Sequence, residues 1–170
     1  MFERLARLGS NGGYWLGLLL LGLAMEGVAL FYQYRLDYAP CVLCIHVRIW
    51  LLGLIALSAL ALGLRRWRYG AAAMHGLVAL LMVGMVERSW QLLATERGWT
   101  FGSCNMDAGL PDWFALDRWF PLVFEVKEAC GYTPELLFGV TMAEGLLIFS
   151  AALLMLALLQ AVLTVRGIVR

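Results

Sequence analysis

The residues of this chain best equipped for chemistry are its four cysteines. Cys41 and Cys44 stand in Pro40-Cys41-Val42-Leu43-Cys44, at the mouth of an apolar run, and Cys104 and Cys130 fall within one polar loop. A Cys-x-x-Cys pair can hold zinc, attach haem or cycle between dithiol and disulfide. Covalent haem attachment requires a His directly after the second Cys, and Ile45 occupies that place. A zinc site wants about four ligands. Cys104 and Cys130 are widely separated without a His beside them, and His46, two positions after Cys44, projects from a different helix face. Redox cycling is the preferred reading and no metal is expected; zinc and a purely structural disulfide are its competitors.

The placing of the pair favours redox chemistry too. Pro40 restrains the chain, so that Cys41 to Cys44 form the first turn of a helix. Unsatisfied backbone N–H groups and the positive end of the helix dipole stabilise a thiolate there. Low-pKa thiolates are the species that attack disulfides and leave from them. Arg48 follows Cys44 by one turn on the same face, and its charge should favour a Cys44 thiolate. An arginine this near hydrocarbon is costly, which marks Arg48 as a candidate binding residue. The competing reading is a side chain that snorkels to the interface.

The elements that position these residues must be compatible with lipid. Hydrophobic residues make up 62% of the chain and charged residues 15%, against about half and about a quarter in a soluble domain. Four apolar blocks account for the excess: Tyr14 to Tyr32, Ile45 to Leu64, Ala71 to Val86 and Ala143 to Val165. Each approaches the roughly 20 helical residues needed to cross a bilayer core, and the third runs on past Glu87 and Arg88. None shows strand alternation, and only helices or closed barrels can span lipid. The expected fold is all-α: a polytopic membrane four-helix bundle forming one integral-membrane domain over residues 1–170. Its spans lie near 14–32, 44–64, 71–90 and 143–165, and its cysteine loops near 33–43 and 91–142. Arg4 and Arg7 precede the first block as in a secretory leader, but no convincing cleavage site follows, so this block reads as an uncleaved helix. The net charge of +1 comes without a basic cluster, which argues against nucleic acid as a partner.

Charge also predicts orientation. Arg4 and Arg7, then Arg65, Arg66 and Arg68, then Arg166 and Arg170 crowd the short segments on one side. Dense positive charge in short loops marks the cytoplasmic side. Both termini are therefore expected in the cytoplasm, and both cysteine loops on the far side. In a bacterial inner membrane that side is the oxidising periplasm. Within the long loop, Trp113, Phe114, Leu116, Trp119 and Phe120 alternate with Asp112, Asp117 and Arg118. This is a short amphipathic helix suited to the bilayer surface, where it would keep Cys104 and Cys130 within reach of Cys41.

Pro40-Cys41-Val42-Leu43-Cys44 opening a span with Arg48 below it, and Cys104 and Cys130 flanking Leu116-Asp117-Arg118-Trp119, resemble the disulfide-bond formation protein B (DsbB) family over essentially the whole chain. The resemblance implies a four-helix bundle with bound ubiquinone or menaquinone and a soluble DsbA-like dithiol oxidant as partner. It implies that the partner attacks a Cys104–Cys130 disulfide at Cys104 and that electrons pass on to Cys41. Cys44 is then freed as a thiolate facing the quinone, with Arg48 at a quinone carbonyl or holding the Cys44 charge. By this resemblance the chain is an enzyme, a protein-dithiol:quinone oxidoreductase.

Other polar residues in the spans read more blandly. Glu26 is expected to be a hydrogen-bonded interhelical carboxyl, or else a proton carrier. His75 is expected to be structural. Gln91, Glu87 and Arg88 are candidates to close a quinone pocket. A quinone reductase of the vitamin K epoxide reductase type is a second reading, but that family places its loop cysteines before the Cys-x-x-Cys. A membrane scaffold with two structural disulfides is a third.

Overall fold

The computed structural model describes residues 9, 11–64, 66–100, 107–137 and 139–169. Four long helices dominate: α1 (Gly12–Arg35), α2 (Val42–Leu64), α3 (Arg68–Glu96) and, last in the chain, α6 (Met142–Val169). All four are long and apolar enough to cross a membrane, so the chain is a multi-pass membrane protein built as a four-helix bundle. Large apolar side chains such as Leu80, Ile148 and Met155 point outward while Trp15, Leu54, Met82 and Met85 fill the centre. A helix apolar on every side is what a bilayer solvent selects.

Local chemistry sets the helix ends. Asn11 caps α1, its Oδ1 accepting from the Gly13 N–H at 3.1 Å. α1 stops before Asp37, whose φ of +55° is left-handed, and before Pro40, which offers no N–H. α3 closes on Gly98 at φ +68°, with Trp99 N–H donating to the Ala94 carbonyl at 2.8 Å. This is the glycine-terminated pattern that satisfies the last carbonyls of a helix. α6 opens with a reciprocal cap: Glu144 N–H donates to Thr141 Oγ1 at 3.3 Å and Thr141 N–H to Glu144 Oε2 at 3.1 Å.

Small residues bring the helices together. A Cβ on Gly53 would lie 2.5 Å from Leu81, and one on Gly84 would lie 2.6 Å from the Trp50 ring, so α2 and α3 meet where side chains are missing. α1 packs on α2, α2 on α3, and α3 most extensively on α6. Along their helical lengths α1 and α6 barely touch among the described residues. The bundle is therefore a ring with one open seam.

The loop between α3 and α6 is not a single amphipathic helix. It is a 3-10 turn (Asp112–Phe114) followed by α4 (Leu116–Trp119) and α5 (Pro121–Phe124), each about one turn long. Pro121 cannot continue α4 and starts α5 instead. Trp113, Trp119, Phe120 and Leu122 are exposed while Ala115 and Phe124 are buried. Of the outward set expected from the sequence, Trp113, Trp119 and Phe120 are exposed, whereas Phe114 and Leu116 are half-buried, Leu116 packing against the core. A small antiparallel hairpin, β1 (Glu135–Leu137) and β2 (Val140–Thr141), leads into α6.

Candidate redox site

Cys41 caps α2. Its carbonyl accepts from Ile45 N–H at 3.0 Å, and its Sγ accepts from Cys44 N–H at 3.4 Å. That places Cys41 where a capping side chain satisfies an orphan donor of the first turn. The two sulfurs lie 2.8 Å apart and both thiols are free. Cys41 is buried, whereas Cys44 is partly exposed. The hydrogen bond from the Cys44 thiol, helped by backbone N–H groups of the turn, holds the Cys41 thiol below the ordinary thiol range against the opposing effect of burial. The sequence reading put the thiolate on Cys44; in the reduced pair the capping geometry stabilises charge on Cys41.

Below the pair lies a cavity of about 340 Å³, within the size range of small-molecule sites. α2 gives it Cys44, Val47, Arg48 and Leu51. α1 contributes Met25, Val28, Ala29 and Tyr32, and α6 contributes Met142, Gly145, Leu146 and Phe149. Tyr38 and Tyr132 line its outer end, their rings 6.2 Å apart and nearly parallel. The cavity thus sits on the α1–α6 seam, walled mainly by apolar side chains, with Cys44 and Arg48 on α2 and Glu128 from the long loop as further lining.

Arg48 does not snorkel. It is buried and donates to Gln33 Oε1 at 2.6 Å, to the Val123 carbonyl at 2.7 Å and to the Ala29 carbonyl at 3.2 Å. A guanidinium carries five N–H donors. Among the described residues these three bonds leave donors to spare on a residue that lines the cavity. Gln33 also donates to the Leu122 carbonyl at 3.2 Å, and the Tyr34 hydroxyl donates to the same carbonyl. Together these bonds pin α5 to α1 and α2. Sequence reading missed Gln33, although Gly22, Glu26 and Gln33 form a buried stripe at helical spacing.

The Cys130 end of the long loop is tied to the start of α2. Lys127 N–H donates to the Pro40 carbonyl at 3.0 Å, and Glu128 bridges Cys41 in parallel. This main-chain zipper brings the segment that leads into Cys130 to the mouth of α2. Cys130 is disulfide-bonded; Cys104 lies outside the described residues.

Two expectations need correction. Glu87, Arg88 and Gln91, expected to close a quinone pocket, do not line this cavity, and no α3 residue does among the described residues. They pair with one another instead, Arg88 reaching Glu87 at 3.3 Å and Gln91 at 3.0 Å. Glu26 is buried, but neither carboxyl oxygen has a hydrogen-bond partner among the described residues, so it is not the bonded interhelical carboxyl anticipated. His75 is fully buried at the opposite end of the bundle, with Nε2 bonded to the Gly9 carbonyl at 3.1 Å and its ring stacked on Trp15 at 4.6 Å.

Four membrane helices with a Cys-x-x-Cys dithiol at one end, above an apolar cavity, define a class of membrane thiol protein. The family model described as disulfide bond formation protein DsbB matches residues 11–160. Disulfide bond formation protein B 2 of Pseudomonas aeruginosa is 34% identical over 151 residues, spanning 86% of this chain and 89% of that protein. Disulfide bond formation protein B of Photobacterium profundum is 34% identical over 151 residues, covering 85% and 84%. That of Yersinia enterocolitica is 29% identical over 170 residues, covering 94% and 90%. The chain belongs to the DsbB family.

Proposed function

We propose that this chain reoxidises a DsbA-like periplasmic thiol oxidant by passing electrons through two cysteine pairs to ubiquinone or menaquinone of the membrane pool, and so sustains protein disulfide formation. The observation that carries this reading is the apolar cavity with Cys44 and Arg48 side by side on its wall, one helical turn inside a dithiol. The proposal takes residues 1–170 as one integral-membrane domain in a bacterial inner membrane. Both termini are cytoplasmic and the cysteine loops periplasmic, where disulfides persist.

The chain's own residues account for each handover. The partner's thiolate attacks the Cys104–Cys130 disulfide at Cys104, and Cys130 leaves. The partner's second thiol closes the partner's disulfide, leaving two thiols on the loop. A loop thiolate then attacks the Cys41–Cys44 disulfide at Cys41, and Cys44 leaves on the cavity side. The loop disulfide re-forms, and the reduced pair is Cys41 and Cys44. Oxidising that pair to a disulfide releases two electrons and two protons. A bound quinone supplies the two-electron sink. The spare N–H donors of Arg48 suit an oxygen acceptor on a ring, and the apolar walls exclude water from the thiolate.

Turnover is tested with purified protein, reduced DsbA and decylubiquinone or a menaquinone analogue, following quinone absorbance. Wild-type protein consumes quinone and Cys44→Ser does not. Arg48→Met raises the quinone KM roughly tenfold, the worth of one hydrogen bond to a charged group. Lysine at that position restores part of the loss, since a point charge does not replace a planar fork. A partner lacking its second cysteine opens the Cys104–Cys130 disulfide of the wild-type chain, cannot close its own, and accumulates as a covalent complex through Cys104. Wild-type protein that reoxidises DsbA with neither quinone sinks the proposal.

A further inference from the structure

His46 stands on the first turns of α2, two residues beyond Cys44, and its ring reaches across to the long loop. Nε2 lies 2.8 Å from the Ala108 carbonyl. A carbonyl only accepts, so Nε2 is the donor in this bond and Nδ1 is the ring nitrogen left over. That Nδ1 is buried without a partner among the described residues. Among the described residues the ring is thus held by one bond, to the loop.

The loop is built to be held there. Ala108 is buried within the hydrophobic cluster that also contains Cys41, Val42 and Ile45. Gly109 takes φ +65°, and its N–H donates to Asp107 Oδ1 at 2.9 Å, a short turn that presents the Ala108 carbonyl. In the sequence Ala108 follows Cys104 by four residues, a reach of at most about 14 Å for extended chain. On the upstream side, Trp99 and Thr100 are bonded back to the end of α3.

We propose that His46 is a positioning residue, a clasp that ties the segment after Cys104 to the helix bearing Cys41 and Cys44 and so sets the rate at which electrons pass between the two cysteine pairs. The inference rests on the proposed two-pair relay. The step it governs is an exchange in which a loop thiolate attacks the Cys41–Cys44 disulfide. One S–S bond breaks as another forms, with no outside oxidant. Where loss of the bond frees Ala108 from its buried place, the next fully buried anchor downstream is Ala115, and the stretch from Cys104 grows from four residues to eleven. Effective concentration falls roughly as the −3/2 power of tether length, which predicts about a fivefold loss. The other end of the loop is secured by main-chain bonds at Pro40 and Cys41. Arg48, Gln33 and Tyr34 also bond the loop, but at Leu122 and Val123; among the described residues the His46 bond is the side-chain tie from a helix that lies nearest Cys104 in sequence.

The experiment uses full-length protein without quinone, oxidised in both pairs, and one equivalent of dithiothreitol. Acid quenching, alkylation and peptide mass mapping report which pair holds the thiols over time. In His46→Phe, which keeps a ring but no nitrogen, reduction of the loop pair proceeds at the wild-type rate. Passage to Cys41 and Cys44 slows about fivefold. In His46→Gln, which keeps a reaching N–H donor, passage recovers most of the loss. Wild-type passage in the Phe variant overturns the clasp, as does equal slowing in Phe and Gln, or slowing of the first reduction to the same extent. Wild-type protein whose thiols never pass between the pairs removes the relay itself, and the clasp with it.

Discussion

The two thiols of the Cys-x-x-Cys pair have different jobs because their sulfurs have different neighbours. Cys41 is buried and receives hydrogen bonds from Cys44 and the turn, while Cys44 opens on the cavity. This asymmetry has a pH signature. A thiol held below its ordinary range keeps its charge, and its reactivity, at pH values above its folded pKa and loses both as pH falls through that value. Because the Cys44 thiol makes the largest contribution to holding Cys41 down, Cys44→Ala should shift the midpoint of Cys41 alkylation to higher pH. Rates of iodoacetamide labelling of the reduced protein, read by mass spectrometry, decide it. Coincident midpoints in the two proteins would show that the Cys44 hydrogen bond does not hold the Cys41 thiol. At this scale the sequence was informative about the identities of Cys41, Cys44 and Arg48, which are chemically unusual in a bilayer. It was silent about Gln33, an ordinary amide whose place opposite Arg48 depends on how α1 meets α2.

At the scale of elements, the glycines where helices cross carry a measurable share of stability. A Cβ on Gly84 would meet the Trp50 ring at 2.6 Å, whereas one on Gly76, on the same helix, has open space around it. Both substitutions by alanine gain helix propensity, about 1 kcal/mol, so their difference isolates packing. Gly84→Ala should be less stable than Gly76→Ala by about 1–3 kcal/mol, seen as a lower midpoint temperature in detergent. Equal midpoints would show that Trp50 swings aside freely. The long helices were legible because an apolar run has no other stable form in lipid. The cap that opens α6 went unread, although Thr141 and Glu144 have the spacing of a reciprocal cap directly before an apolar run. The attachment of the loop to α2 was not legible, because the bonds from Lys127 to Pro40 and from Glu128 to Cys41 are made by backbone and leave no mark on residue type. The splitting of the amphipathic segment at Pro121 could be read from that proline; the β1–β2 hairpin, only a few residues long, could not.

For the whole molecule, the arginine distribution predicts one orientation. A reporter fused after Arg68 or at Arg170 should be active as a cytoplasmic fusion, and one inserted near Gly109 as a periplasmic one. Reversed signals would place the cysteines in a reducing compartment and remove the basis of the relay. The open seam between α1 and α6 has a consequence for how such a protein is measured. A cavity that faces hydrocarbon meets its ligand as a solute of the bilayer, so the relevant concentration is molecules per lipid. Diluting the protein with detergent or lipid at constant bulk quinone should therefore lower the rate, and long-tailed quinones should appear tighter in bulk units simply because they partition more completely. Affinities compared between preparations have meaning only at a fixed lipid-to-protein ratio, and in the cell the ligand supply would be set by membrane composition.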